Sequence, residues 1–61
     1  MTLLIAKSPN NRAVLFFKKG DMLFRVYPLI DTSAPEDEVM QLAEKIQEEL
    51  HILMSVESVN S

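Results

Sequence analysis

The apolar residues of this chain change their spacing once, and that change limits the folds open to it. Between residues 2 and 27 they fall in three short runs rich in Leu, Ile, Val, Phe and Tyr, separated by turn residues, a pattern typical of β-strands. From Val39 onward they recur every three to four residues, the period of an amphipathic helix. Because the strand-like runs come first and the helical pattern occurs once, the sequence predicts a single α+β domain over residues 1–61.

The predicted fold is a three-stranded antiparallel meander followed by one C-terminal helix. Strands are expected over about residues 2–7, 12–19 and 22–27 in the sheet order 1-2-3, with a helix over about 34–54 packed on one sheet face. Ile52 and Val56 fall off the apolar stripe of the helix and no glycine stops it, so residues 51–56 also fit a short extended segment. The helix is nevertheless expected to continue to about Met54.

Two turns set the register of the predicted meander. Gly20 and Asp21 form a two-residue hairpin loop, with glycine where a type II′ turn needs it. Pro9 and Asn11 predict a three-residue loop for the first turn, with Asn11 in the left-handed conformation. The opposed pairs that follow are Ile5 with Leu15, Leu3 with Phe17, Phe17 with Phe24, and Leu15 with Val26.

The start of the helix carries the usual signals. Ser33 is the expected N-cap, and Glu36, three residues later, completes a capping box. Pro35 lies in the first turn, where a missing N–H does no harm. The apolar stripe of this helix is expected to cover an inner sheet face that carries Leu3, Ile5, Leu15, Phe17, Met22, Phe24 and Val26.

The opposite, outer face of the predicted sheet is too apolar to lie in water. One amphipathic helix shields one face, so we expect the outer face to contact a partner. A homodimer or another protein is the first expectation, with two aromatic anchors and a cation at the rim of the interface. The predicted interface residues are Leu4, Val14, Phe16, Leu23, Arg25 and Tyr27.

A single-stranded nucleic-acid binder is the alternative for the same face, because Phe16 and Tyr27 beside Lys18 and Arg25 resemble a base-stacking platform. The net charge of −3 weighs against it. Five basic residues and one acid precede Asp31, whereas eight acids and one lysine occupy the rest of the chain. A third hypothesis is that the helix presents a phosphate-mimicking acidic ridge, formed by Asp37, Glu44 and Glu48.

The composition contains few of the residues that catalytic and metal sites use. The chain has no cysteine, one histidine (His51) and one glycine (Gly20), so a disulfide, a histidine–thiolate metal site and a glycine-rich phosphate loop have no residues to form them. Paired carboxylates need a cleft that separates their pKa values, and one helix on one sheet offers little cleft. We therefore expect no enzyme activity, no cofactor, no metal and no small-molecule substrate.

The stretch from Phe24 to Thr32, followed by an acidic helix start and Leu42-Ala43, resembles short accessory proteins of lambda-like phages. This resemblance implies a small phage or prophage protein that binds and modulates a host protein, and it assigns no functional residue. The apolar run at the start ends at Lys7, well short of a signal peptide or membrane span. A cytoplasmic protein without membrane contact is the expectation.

Overall fold

The computed structural model describes residues 1–30 and 32–58, which contain five strands and one helix. In chain order these are β1 (Thr2–Ser8), β2 (Arg12–Lys19), β3 (Met22–Tyr27), β4 (Ala34–Pro35), α1 (Glu36–Leu50) and β5 (Leu53–Ser58). The predicted α+β class is confirmed. The three-stranded meander followed by a helix is wrong as a description of the whole sheet, because two further strands join it and one of them makes the sheet mixed.

The first three strands pair as the turn residues require. β1 and β2 are antiparallel with Ile5 opposite Leu15 and Leu3 opposite Phe17, which is the predicted register. Asn11 has a φ of 57° and Gly20 a φ of 60°, so both turns use the left-handed backbone that their residue types favour. The turn residues and the strand register therefore agree in this part of the sheet.

The C-terminal segment adds a strand that extends the sheet beyond β1. The helix ends at Leu50, and His51 adopts a left-handed φ of 53° while its N–H donates to the Gln47 carbonyl oxygen at 2.8 Å. β5 then runs parallel to β1, with Leu53 opposite Thr2, and the sheet order is β3-β2-β1-β5. The helix predicted as far as residue 54 is thus too long, and the extended alternative for residues 51–56 is correct for most of that segment.

The segment before the helix is held by β2 instead of by a capping box. β4 pairs with β2, placing Ala34 opposite Ala13, and the Glu36 N–H donates to the Asn11 carbonyl oxygen at 2.8 Å. The N-cap is Pro35, without a side-chain cap. The predicted Ser33 cap is wrong because the Ser33 hydroxyl accepts a hydrogen bond from the Arg12 guanidinium at 3.2 Å, and the Ser33 carbonyl accepts another.

The core lies between α1 and the middle of the sheet. α1 packs mainly on β1 and β2, and its Val39 and Ala43 are buried there. A helix is about 10 Å wide and strands are about 4.8 Å apart, so one helix covers roughly two strands. The buried cluster consists of Leu3, Ile5, Ala13, Leu15, Ala34, Val39 and Ala43.

A β-bulge changes the predicted pairing near the end of β3. Phe16 lies opposite Arg25, but Leu15 lies opposite Tyr27, so Val26 is the extra residue. The predicted pairing of Leu15 with Val26 is therefore wrong. Val26 and Tyr27 both pack against the buried cluster on the helix side of the sheet. The sequence pattern did not reveal the bulge because no glycine or proline marks it.

Candidate binding surface

Five of the six residues predicted as an interface share the sheet face opposite α1. The cross-strand pairs Leu4 with Phe16, Ala6 with Val14, Phe16 with Arg25, and Lys18 with Leu23 establish this common face. Leu4 is already buried, and Val14 and Phe16 are half-buried by their neighbours on the sheet. Among the apolar residues predicted for this interface, Leu23 is the one that remains largely exposed, with 52% of its surface accessible.

Arg25 is engaged within its own protomer. Its Nε donates to the Pro28 carbonyl oxygen at 2.5 Å, and its Nη2 donates to the carbonyl oxygens of Ile30, at 2.9 Å, and Thr32. These bonds fasten the excursion between β3 and β4 to the sheet. A guanidinium with three carbonyl partners is a poor candidate for a free phosphate-binding cation. The structural role of Arg25 is to hold the backbone between β3 and β4 in position.

Tyr27 lies on the helix side, not on the outer face where alternation had placed it. The bulge brings it opposite Leu15, and its hydroxyl donates to Glu38 Oε2 on α1 at 2.9 Å. This hydrogen bond raises the pKa of Tyr27 above its usual 10.0, with smaller contributions in the same direction from desolvation and from the negative charge of Glu38. Tyr27 therefore links β3 to the helix.

A run of apolar side chains remains uncovered along β3. We define the β3 border as Met22, Leu23 and Phe24, together with the neighbouring Leu29 and Ile30. Met22 and Phe24 are 59% and 47% exposed although they lie on the helix side of the sheet, and Leu29 and Ile30 are more exposed still. The sequence analysis had placed Met22 and Phe24 beneath the helix. One helix covers only about two strands, so residues on β3 lie beyond its reach, and this could have been foreseen from the width of a helix.

The backbone of β3 also has one unused side. Met22 lies opposite Lys19 across the two-residue loop, and in such a hairpin this flanking pair is hydrogen-bonded. The bonding direction alternates along a strand, so the N–H and C=O groups of Leu23 and Arg25 point away from β2. Within residues 1–30 and 32–58 no strand pairs with that side. Such an edge can accept another strand.

The other border of the sheet, β5, is less apolar. Leu53 and Val56 are exposed on it, and Leu50 is exposed at the end of α1. Ser55 and Glu57 alternate with the apolar residues. A polar and charged border strand is less favourable for association than three consecutive apolar residues.

An open concavity of about 400 Å³ lies on the outer face between the end of β2 and β5. It holds one basic side chain, Lys18, and one acidic side chain, Glu57. Its lining is more polar than apolar and it is open to solvent, unlike a typical small-molecule site, which is mostly apolar and encloses its ligand. The lining residues are Met1, Thr2, Leu4, Lys18, Gly20, Ser55 and Glu57.

Charges separate along the molecule as they do along the sequence. The hairpin end of the sheet exposes Lys18 and Lys19, whereas α1 exposes Asp37, Glu44 and Glu48. The described part of the chain has no group of three acidic, histidine or cysteine side chains arranged to hold a metal ion. Nor does that part include a helix with the length and apolar character needed to cross a membrane.

Comparisons with protein-family models, with curated proteins and with solved structures find no match to this chain.

Proposed function

We propose that this chain is a non-enzymatic protein-binding module and that the β3 border is its binding surface. It acts in the cytoplasm by covering these apolar residues with another protein surface, either a second copy or a host protein. The resemblance to accessory proteins of lambda-like phages agrees with such a role. Binding at the border replaces the predicted interface on the whole outer face, since Arg25 and Tyr27 have partners within the protomer.

One observation carries this proposal: Met22, Leu23 and Phe24 are consecutive, exposed and located on a strand with an unpaired edge. Because successive residues of a strand point to opposite faces, this border is apolar on both sides of the sheet. Complete burial of one large apolar side chain is worth about 1.5–3 kcal/mol. Met22, Leu23 and Phe24 are about half exposed, so covering each of them gains about half of that value, which is still large for a protein of 61 residues with a small core.

The nucleic-acid alternative has less support. A stacking platform needs exposed aromatic rings with free cations beside them. Phe16 is half-buried, Tyr27 lies on the opposite face, and Arg25 is bonded to backbone carbonyls. Lys18 is the one basic residue left exposed on that face among the four that suggested the platform.

Site-specific photocrosslinking tests the proposal directly. A benzophenone amino acid in place of Phe24 keeps an aromatic side chain at the border, and the same group in place of Glu44 on the exposed helix face is the matched control. We expect protein adducts in cells from position 24 and few from position 44. Equal yields at both positions, or no protein adduct from position 24, would overturn the proposal. A third variant carries the benzophenone group in place of Phe16. An adduct from this variant that nuclease removes would favour the nucleic-acid alternative.

A further inference from the structure

We propose that the partner at the β3 border is a second copy of this chain, bound by antiparallel pairing of the two β3 strands about a two-fold axis at Phe24. The inference rests on the proposed function, because it identifies the occupant of the same surface. In the resulting dimer the two sheets join into one continuous sheet. Its strand order is β5-β1-β2-β3 followed by the same strands of the second copy in reverse.

The backbone directions of β3 select this register. Leu23 and Arg25 carry the outward N–H and C=O groups, so they must form the hydrogen-bonded pairs with the second copy. Pairing Leu23 with Arg25 of the second copy satisfies both residues twice and places Phe24 opposite Phe24 at the axis. That central pair is of the non-hydrogen-bonded kind, in which side chains approach most closely. Aromatic cross-strand pairs are favourable there.

Neighbouring registers are worse for identifiable reasons. A shift by one residue opposes Phe24 to Arg25. Directly opposed side chains share a face, so the helix side of one copy would have to continue into the outer face of the other, which a two-fold axis does not allow. A shift that centres the axis on Arg25 opposes two arginines, a like-charge pair. A shift that centres it on Leu23 shortens the overlap of two strands that are six residues long. The Phe24-centred register avoids all three defects.

Charge supports an antiparallel partner with the same sequence. The hairpin end of β3 adjoins Lys18 and Lys19 with one acid, Asp21, and is positive on balance, whereas the other end adjoins Glu38 through the Tyr27 hydroxyl. A two-fold axis at Phe24 brings the basic end of each copy beside the acidic end of the other. Each protomer is thus electrostatically complementary to itself across this border.

The protomer has enough surface for such a contact, and the symmetry limits the assembly to two chains. A standard interface buries about 800 Å² per partner, less than a fifth of the 4449 Å² that the protomer exposes. The two-fold arrangement uses β3 of both copies and therefore closes after two chains. Pairing of β3 with β5 of another copy would instead leave two borders open and produce a growing filament.

Cysteine substitution tests the register, because the natural chain has no cysteine. Phe24→Cys places two thiols about 4.5 Å apart at their Cα atoms, within the range of a disulfide. Leu23→Cys lies about 7–8 Å from its copy on the diagonal, beyond that range. Leu53→Cys on the β5 border controls for chance collision of exposed thiols. We expect a disulfide-linked dimer from Phe24→Cys, and largely unlinked chains from the other two variants.

Light scattering on the natural chain provides a measurement that does not depend on any variant. We expect twice the 7.0 kDa mass of the chain, and loss of the doubled mass in Phe24→Lys but not in Leu53→Lys. A natural chain of single mass, or equal linkage of the Phe24 and Leu53 cysteines, overturns the second-copy proposal. Photocrosslinking at position 24 then separates the outcomes: adducts with a different protein leave the proposed function standing, whereas no adduct removes both proposals.

Discussion

β1 and β3 flank the same strand and carry similar apolar residues, yet their environments are opposite. Leu3 and Ile5 of β1 are fully buried on the helix side of the sheet, whereas Met22 and Phe24 of β3 are about half exposed on that side. β1 also gains β5 on its far edge, while β3 gains no described neighbour. The difference follows from the width of a single helix, which covers about two strands. Position within the sheet, and not side-chain hydrophobicity, decides which residues form the core.

The largest effect is expected from truncating a buried residue of β1, and the matched truncation on β3 should have little effect. Ile5→Ala removes a fully buried side chain and should lower the free energy of unfolding by about 2–5 kcal/mol. Met22→Ala, on the same face of β3, should change it by about 0.5 kcal/mol or less at low protein concentration. Urea titration followed by circular dichroism measures both. Similar losses in the two variants would mean that β3 is as well covered as β1.

Release of the excursion beside β3 should have the next largest effect. Arg25→Met keeps most of the aliphatic stem but removes the hydrogen bonds to the Pro28, Ile30 and Thr32 carbonyl oxygens. We expect a loss of about 1–3 kcal/mol, together with faster amide hydrogen exchange around the excursion. Lys18→Met, an exposed cation on the same face, is the matched control and should change little. Unchanged exchange in Arg25→Met would show that Arg25 does not hold this backbone.

A smaller effect is expected at the link between the helix and β1. Lys7 Nζ lies 2.8 Å from Glu36 Oε1, and both side chains are partly exposed. Lys7→Met should therefore cost about 1 kcal/mol or less, with a smaller cost at high salt. A double-mutant cycle with Glu36→Gln isolates the pairwise energy. A coupling that is independent of salt would contradict this assignment.

The link between the helix and β3 is expected to appear as a shift in titration. Tyr27 is the only tyrosine, so tyrosinate absorbance reports its ionisation alone. Its pKa should lie above 10.0, and Glu38→Ala should return it toward that value. Because the folded protein holds the Tyr27 proton more tightly than the unfolded chain does, this stabilisation is present below pH 10.0 and is lost as the pH rises through the folded pKa. An identical titration in the natural chain and in Glu38→Ala would show that Glu38 does not affect the ionisation of Tyr27.

Local signals predicted much of the fold and part of the surface. The residues of both tight turns, Asn11 and Gly20, adopt the expected left-handed φ, and they fix the pairing of β1 with β2 and the start of β3. The helix was recognisable from its period, although its cap was not. Ser33 has the right chemistry for an N-cap but is used by Arg12, a residue 21 positions away in the chain. A hydrogen-bond competition over that distance leaves no trace in a local pattern.

The sequence predicted that an uncovered apolar surface exists, but it did not predict where on the sheet this surface lies. Alternation correctly indicated that the sheet has more apolar surface than one helix can cover, and Leu23 was identified from it. Alternation also assigned Tyr27 to the outer face, because a bulge without glycine or proline reverses the face of every later residue in the strand. Met22 and Phe24 were assigned to the core because a one-dimensional pattern does not contain the lateral distance from a strand to the helix.

The sequence alone determined what depends on neighbours along the chain: the strand runs, the two turns, the helical period and the separation of basic from acidic residues. Tertiary structure decided which edge of β1 received β5, where β3 bulged, and which apolar side chains remained outside the helix. The physical reason is the range of the forces involved. Backbone conformation is set within a few residues, whereas burial and strand pairing depend on distances between segments that only the folded chain defines.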